Sequence, residues 1–193
     1  MGEWSVYPLT AERWEDFTAL FGPRGASSGC WCMFWRLPNK EWQDTNGKQR
    51  CRMMRNLVDG GAVPGLLGYL DGVPVGWISL APRPEYVRIE QSRSEVYRRL
   101  DGAPVWSVVC FFIDAKQRRK GVGLRLLQAG IEYARAQGAT LLEAYPKEVA
   151  GRAGAGDIFV GVPSLFAAAG FSEVARPKPD RPVMRLVLEE STP

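Results

Sequence analysis

The sequence contains no histidine. That absence removes Ser-His and Cys-His nucleophile pairs, imidazole acid/base catalysis and any mixed Cys/His zinc site together. Proton transfers are left to Glu, Asp, Tyr, Lys, Cys or water. Cysteine is scarce as well. Cys30, Cys32, Cys51 and Cys110 are the four, and a chain of this length buries a sufficient core without disulfides, so reduced thiols are expected. The close pair Cys30-Trp31-Cys32 is C-x-C rather than C-x-x-C, and no metal is expected there or elsewhere. Long apolar runs are missing. The longest nearly apolar stretch, Val105 to Ile113, is broken by Ser107 and is far too short to cross a bilayer as a helix. The opening residues Met1 to Val6 lack the basic and apolar segments of a signal peptide, and Val6 stands where a myristoylation signal has Ser or Thr. A cytoplasmic protein without a membrane partner is the expectation.

No Gly/Ser linker or low-complexity stretch divides the 193 residues and 21.5 kDa, which read as a single domain over residues 1–193. Hydrophobic residues at 46%, with 24% charged and 11% aromatic, describe a chain that folds rather than a disordered one. The formal charge of +4 and pI near 9.0 raise the alternative of a basic nucleic-acid-binding protein. The excess is concentrated, however, in Lys116, Arg118, Arg119, Lys120 and Arg125. A compact cluster suits a small polyanion at least as well as a long phosphate backbone, and no nucleic-acid partner is expected.

Periodicity places the elements. Trp4 to Leu9 reads as a strand, and Thr10 as the cap of a helix carrying Trp14, Phe17 and Leu20 or Phe21 and ending at Gly22-Pro23. A second helix runs from about Gly47 to Asp59, with Cys51, Met54, Leu57 and Val58 as its buried stripe. Strands Gly65 to Leu70 and Val73 to Leu80 flank Asp71-Gly72, a tight hairpin turn. Glu85 to Leu100 is mixed and helical in part, and Val105 to Ile113 is a central buried strand. A helix follows from about Gly121 to Gln137, with Leu124, Leu127, Ile131 and Ala134 on one face, then a strand from Thr140 to Tyr145. Pro146 to Gly161 looks like a Gly/Ala-rich loop, Pro163 to Ala169 like a short helix, and Phe171 to Ala175 with Val183 to Leu188 like a hairpin.

The chemistry lies in one junction: the Val105 to Ile113 strand, the loop Asp114-Ala115-Lys116-Gln117-Arg118-Arg119-Lys120-Gly121-Val122-Gly123, and the amphipathic helix. A helix start leaves its first amides without intrahelical partners and carries partial positive charge, so a diphosphate is a natural ligand. Glycines at 121 and 123 remove Cβ atoms that would keep phosphate oxygens away. Arg118, Arg119 and Lys120 add full charges. A dinucleotide fingerprint would need a third glycine where Leu126 stands, and a P-loop needs Gly-Lys-Ser/Thr, whereas here Lys120 precedes Gly121.

Arg118-Arg119-Lys120-Gly121-Val122-Gly123 matches without a gap the Gln/Arg-x-x-Gly-x-Gly/Ala fingerprint of the GNAT acyltransferases, and Leu165-Phe166-Ala167-Ala168-Ala169-Gly170-Phe171 follows in that family's order. The chain resembles a GNAT enzyme over roughly residues 105–175. The resemblance implies an α/β acyl-CoA N-acyltransferase fold, its central mixed and mostly antiparallel sheet flanked by helices. It implies transfer of an acetyl group from acetyl-CoA to a primary amine by direct attack. It also implies cofactor contacts from Phe112, Ile113, Arg118, Arg119, Lys120, Gly121, Val122, Gly123, Leu124 and Phe166. The strands ending at Ile113 and Tyr145 should splay apart, exposing backbone groups to pantetheine amides, and an amide near Phe112 or Ile113 would stabilise the oxyanion.

Direct attack needs a neutral amine, so a base is sought among Glu143 and Glu90, acting directly or through water. The departing thiolate receives a proton in many GNAT enzymes from a tyrosine four residues before the Gly-Phe pair. Here that position is Phe166, and Phe159 stands about where the family often has a cofactor-binding asparagine. Tyr145, Ser164 or water could take the acid's place. Trp31 and Trp35, four apart, offer an acceptor wall on one helical face or else simple core packing, and Glu90 also faces the acceptor in this scheme. The acceptor is a small-molecule or protein amine, and a homodimer is admitted. A non-catalytic acyl-CoA binding module is the alternative that Phe166 raises.

Overall fold

Asp71 and Gly72 both have positive φ, 51° and 76°, the backbone a two-residue hairpin turn requires. They join β2 (Leu66–Leu70) to β3 (Val73–Pro82) with Leu70 opposite Val73. The computed structural model describes residues 2–149 and 158–188. In it these strands belong to one sheet with β1 (Trp4–Pro8), β4 (Trp106–Ile113), β5 (Leu141–Ala144), β6 (Ser172–Lys178) and β7 (Arg181–Val187). The strand order is β1-β2-β3-β4-β5-β7-β6, which puts the most apolar strand, β4, in the middle. All neighbours are antiparallel except β4 and β5. The architecture is therefore mixed α/β with a mostly antiparallel sheet flanked by helices.

Two irregularities of β4 open the sheet at its centre. Ser79 pairs with Cys110 and Leu80 with Val108, so Val109 is an extra residue, a bulge that bends the strand. Pairing with β5 covers only Trp106 to Val108 and stops at Ala144, while β4 runs on to Ile113. Past that point the two parallel strands part.

One face of the sheet is covered by α5 (Val122–Ala136) and α6 (Pro163–Ala168). Buried residues 122, 126, 127, 130, 131 and 134 form the inner stripe of α5. Leu126 takes the core place expected for Leu124, which is half-buried. A Cβ on Gly76 would meet Leu126 Cδ1 at 2.8 Å and Val122 Cγ1 at 3.1 Å. The bare backbone of β3 thus lets the first turn of α5 sit directly on the sheet beside the end of β4.

The other face carries α1 (Trp14–Phe21), α2 (Asn39–Asp44), α3 (Gly47–Asp59) and α4 (Val87–Glu90). The bounds of α3 agree with the expected ones because its start is written into the chain. Asn46 Oδ1 accepts from the Gln49 amide at 3.1 Å while Gln49 Oε1 accepts from the Asn46 amide at 2.9 Å, a reciprocal cap that contributes about 1 kcal/mol. Helix α2 was not anticipated. Thr10 does not cap α1: a 3-10 turn over Ala11–Arg13 intervenes, and Thr10 Oγ1 is buried without a partner among the described residues. Of the expected loop Pro146 to Gly161, residues 150–157 lie outside the described ones. Among the described residues, no helix is long and apolar enough to cross a membrane.

Candidate functional site

The loop after β4 is held at both ends. The Asp114 amide donates to the Val75 carbonyl at 2.9 Å, and its carboxylate accepts from the Lys116 amide at 2.9 Å, opening a 3-10 turn over Ala115–Gln117. Arg119 and Gly121 then adopt left-handed φ of 61° and 80° before α5 begins at Val122. Among the described residues, no carbonyl accepts from the amides of Val122, Gly123 or Leu124, the orphan donors of a helix start. A Cβ on Gly121 would meet nothing within 4 Å, and one on Gly123 would approach Ile113 Cδ1 only to 3.5 Å. Among the described residues, the space above Gly121 is open, and Gly123 has room for a Cβ in van der Waals contact with Ile113 and Leu165. Arg118, Arg119 and Lys120 are exposed around it. Arg118 Nε donates to the Ile113 carbonyl at 3.1 Å and Lys120 Nζ to Gln117 Oε1 at 3.3 Å. No carboxylate pairs with any of these three among the described residues. Unpaired amides, the open Gly121 and unneutralised cations together fit a diphosphate.

The neighbouring edge of β4 separates the two amides expected to face a thioester. The Phe111 amide donates to the Phe159 carbonyl at 2.6 Å, away from β3, while the Asp114 amide points into β3 at Val75. Alternation along an antiparallel strand then directs the Phe112 amide at Trp77 of β3 and leaves the Ile113 amide on the edge that β5 has abandoned. The Phe112 ring packs on Phe21, centroids 5.1 Å apart. Phe166 is fully buried between Phe111 and Phe171, at 6.0 and 5.2 Å. Its ring is core packing beneath β4, not an exposed cofactor contact.

Glu143 and Tyr145 come together at the point where β4 and β5 part. Glu143 is 1% exposed and both its oxygens are taken. Oε1 accepts from Arg83 Nη1 at 2.9 Å and from the Tyr145 hydroxyl at 2.5 Å, and Oε2 accepts from Arg185 Nε at 2.7 Å. Arg83 also donates through Nε to Glu90 Oε1 at 2.6 Å, through Nη1 to the Tyr145 hydroxyl at 2.8 Å, and through Nη2 to the Tyr97 carbonyl. Glu90 Oε2 accepts from Arg99 at 2.8 Å. Burial works to raise the Glu90 pKa, yet the bonds from Arg99 and Arg83 outweigh it and hold the carboxyl below its usual range. Burial, then the Glu143 charge, push the Tyr145 phenol well above its usual range. Both carboxylates expected as bases thus have their oxygens occupied by guanidinium donors, a poor setting for accepting a proton. Ser107 Oγ lies 3.2 Å from the Tyr145 hydroxyl and extends the network. Ser164 sits apart, exposed on the first turn of α6.

Trp31 and Trp35 do not share a helical face. Trp31 and Cys32 have φ of 46° and 57°, which breaks any helix there. Trp31 stacks on Phe21 and lines a cleft of about 1150 Å3 with Arg24, Ser28, Lys48 and Cys51. Trp35 turns the other way, donating Nε1 to the Val109 carbonyl at 3.0 Å, at the bulge, and its ring meets Tyr97 at 5.4 Å. Cys32 is buried below the bulge, accepting from Trp77 Nε1 at 3.2 Å. The bond from the Cys110 thiol holds the Cys32 pKa down to about 7 against the opposing effect of burial.

Sequence reasoning missed Arg83, Arg185, Tyr97 and Arg88. Arg83 had one local signal, its place between Pro82 and Pro84 in a rigid turn. The others gain meaning only from contacts across the sheet.

Comparison with known proteins bears on this geometry. The family model for the acetyltransferase (GNAT) family matches residues 28–152. The chain belongs to the GNAT family. Solved structures share the fold of this acetyltransferase across nearly its whole length. The PaiA N-acetyltransferase from Thermoplasma acidophilum, in complex with coenzyme A, is 12% identical with a TM-score of 0.54, covering 96% of this chain and 99% of its own. The ribosomal-protein-alanine N-acetyltransferase from Brucella melitensis is 18% identical with a TM-score of 0.52, covering 95% and 99%. The yncA protein from Salmonella typhimurium, with its cofactor acetyl-CoA, is 15% identical with a TM-score of 0.53, covering 98% and 96%. At such identities the likeness is one of fold. No curated protein sequence matches.

Proposed function

We propose that this acetyltransferase moves an acetyl group from acetyl-CoA to a primary amine by direct attack. The carboxylate-free cradle of amides at the start of α5, beside the edge of β4 that β5 leaves unpaired, carries this assignment. Amides of Val122, Gly123 and Leu124, with Arg118, Arg119 and Lys120, would hold the linked phosphates. The Ile113 amide faces the same edge as Phe111 and would take a pantetheine or thioester carbonyl oxygen. Two solved structures of this fold contain coenzyme A or acetyl-CoA.

Guanidinium-locked Glu143 and Glu90 leave the amine to lose its proton to water before attack. Burial, then the Glu143 charge, hold the Tyr145 phenol above its usual range, so it stays protonated near neutral pH. A thiol of pKa about 8.5 is a far stronger acid than that phenol, and the Tyr145 hydroxyl already gives its hydrogen to Glu143 Oε1, so the departing thiolate would take its proton from water. Mass spectrometry of amines incubated with the protein and acetyl-CoA, together with the melting shift that acetyl-CoA produces, tests the assignment. Acetylated product with a raised melting temperature is expected, and an unchanged melting temperature at saturating acetyl-CoA would sink it. The carboxylate locks and Phe166 also favour a second reading, a module that binds acyl-CoA without turnover. A melting shift with no product from a broad amine panel selects it.

A further inference from the structure

A second cleft, of about 490 Å3, opens between the segment Phe34–Asn39 and the stretch Arg88–Tyr97. Its volume suits a small molecule. Phe34, Trp35, Arg88, Gln91, Arg93 and Tyr97 form most of its lining, which includes no carboxylate. It adjoins the place where the strands part: Trp35 is bonded to the Val109 carbonyl at the bulge, and the Tyr97 ring packs on Tyr145, centroids 5.1 Å apart, just past β5.

The charge around it is unbalanced. Arg36 is neutralised by Glu85, Arg83 by Glu90 and Glu143, and Arg99 by Glu90. Arg88 and Arg93 have no carboxylate partner among the described residues. Arg88 Nε donates to the Leu37 carbonyl at 3.2 Å, its guanidinium lies over the Phe34 ring at 4.2 Å, and its Nη2 is buried with no acceptor among the described residues. Across the Trp42 ring, which Arg88 meets at 5.6 Å, Arg50 stacks at 3.7 Å and bonds only to carbonyls and a hydroxyl. Burial, with Arg50 adding to it, disfavours the charged form of Arg88. Arg88 and Arg93 line the cleft as cations without a counter-ion among the described residues, and an anion seated there would supply one.

We infer that the acceptor is a small amine that also carries an oxyanion, a carboxylate or a phosphate monoester, seated against Arg88 and Arg93 with its amine directed past Trp35 and Tyr97 toward the parting of β4 and β5. The inference rests on the acetyltransferase function proposed above. The oxyanion anchors one end of the molecule by charge-assisted hydrogen bonds, and the aromatic walls accommodate the carbon chain between anchor and amine.

The test uses the full chain, acetyl-CoA and three sets of probes: ω-aminocarboxylates, their carboxamides of equal chain length, and aminoalkyl phosphates. Product is read by mass, and the acetyl-CoA melting shift is read in parallel. An advantage in kcat/KM of about 10- to 100-fold for an oxyanion over the matching carboxamide is expected. Preference between the carboxylate and phosphate sets identifies the source of the oxyanion. Arg88→Met should abolish the advantage through KM, and Arg93→Gln, at an exposed position, reports should Arg88→Met unfold. Carboxamides acetylated as well as carboxylates, or a preference that survives both substitutions, would overturn the inference while leaving acetyl transfer standing. Absence of any melting shift or product overturns acetyl transfer itself. Calorimetry of the aminocarboxylates then still decides the cleft: heat lost in Arg93→Gln supports an anion site, and equal heat from the carboxamides refutes it.

Discussion

Phe159 holds the Phe111 amide through its carbonyl at 2.6 Å, on the edge of β4 from which β5 has departed. A single carbonyl belonging to the chain thus sits where a bound pantetheine arm would seek a donor.

Amide exchange followed residue by residue checks this arrangement. Phe111 should be protected with and without coenzyme A, because one carbonyl replaces another. Ile113, whose amide faces the same edge, should pass from exchanging to protected on adding coenzyme A. An Ile113 amide unmoved by the ligand would place the arm elsewhere.

Gly123→Glu separates folding from binding. The new Cβ has room at 3.5 Å from Ile113 Cδ1, and α5 has no acidic residue in its first turn, where one is favourable by about 0.3–1 kcal/mol. Stability should stay within about 1 kcal/mol of the parent by urea denaturation. The carboxylate should repel a diphosphate and remove the melting shift produced by acetyl-CoA. A shift of undiminished size would move the phosphate site away from α5.

Glu143→Gln should cost stability first. The substitution leaves Arg83, 3% exposed, with Glu90, and Arg185 with Asp101, as their remaining carboxylates, and losing a hydrogen bond to a charged group costs about 1.5–3 kcal/mol. Urea denaturation measures the loss. With neither carboxylate acting as base, kcat/KM for acetyl transfer should keep rising with pH toward the pKa of the acceptor amine, which for a lysine-like amine is about 10.4. A plateau beginning near pH 5 would restore a carboxylate base.

Acid stability should depend on Glu90. Its carboxyl titrates below the ordinary 4.5 in the folded chain, so the unfolded chain takes up the proton first as pH falls. The stabilisation is complete above 4.5 and is lost as pH drops through the lower folded value. Glu90→Gln should flatten this part of the curve of melting temperature against pH. An identical acid limb in the variant would count against the Arg83 and Arg99 bonds.

Local signals were legible where the chemistry is local. Asn46 and Gln49 announced the start of α3, Asp71-Gly72 announced its turn, and the spacing of Leu127, Ile131 and Ala134 announced α5. The basic loop was visible for the same reason, since its donors and charges lie within a few consecutive residues. Trp31 and Trp35 misled because spacing says nothing of φ, and two left-handed residues at 31 and 32 send the rings to different cores. The lock on Glu143 could not be read because its guanidinium partners lie 60 residues before it and 42 after it. No periodicity encodes such a pairing.

Strand β7 lies inside the sheet, between β5 and β6, although it follows both in the chain. During synthesis, β5 therefore waits with a bare edge until Arg181–Val187 has left the ribosome, and Glu143 waits for Arg185 over the same interval. A nascent chain halted before Arg181 should bind holdase chaperones and be cut readily by protease, and release of those seven residues should end both susceptibilities together.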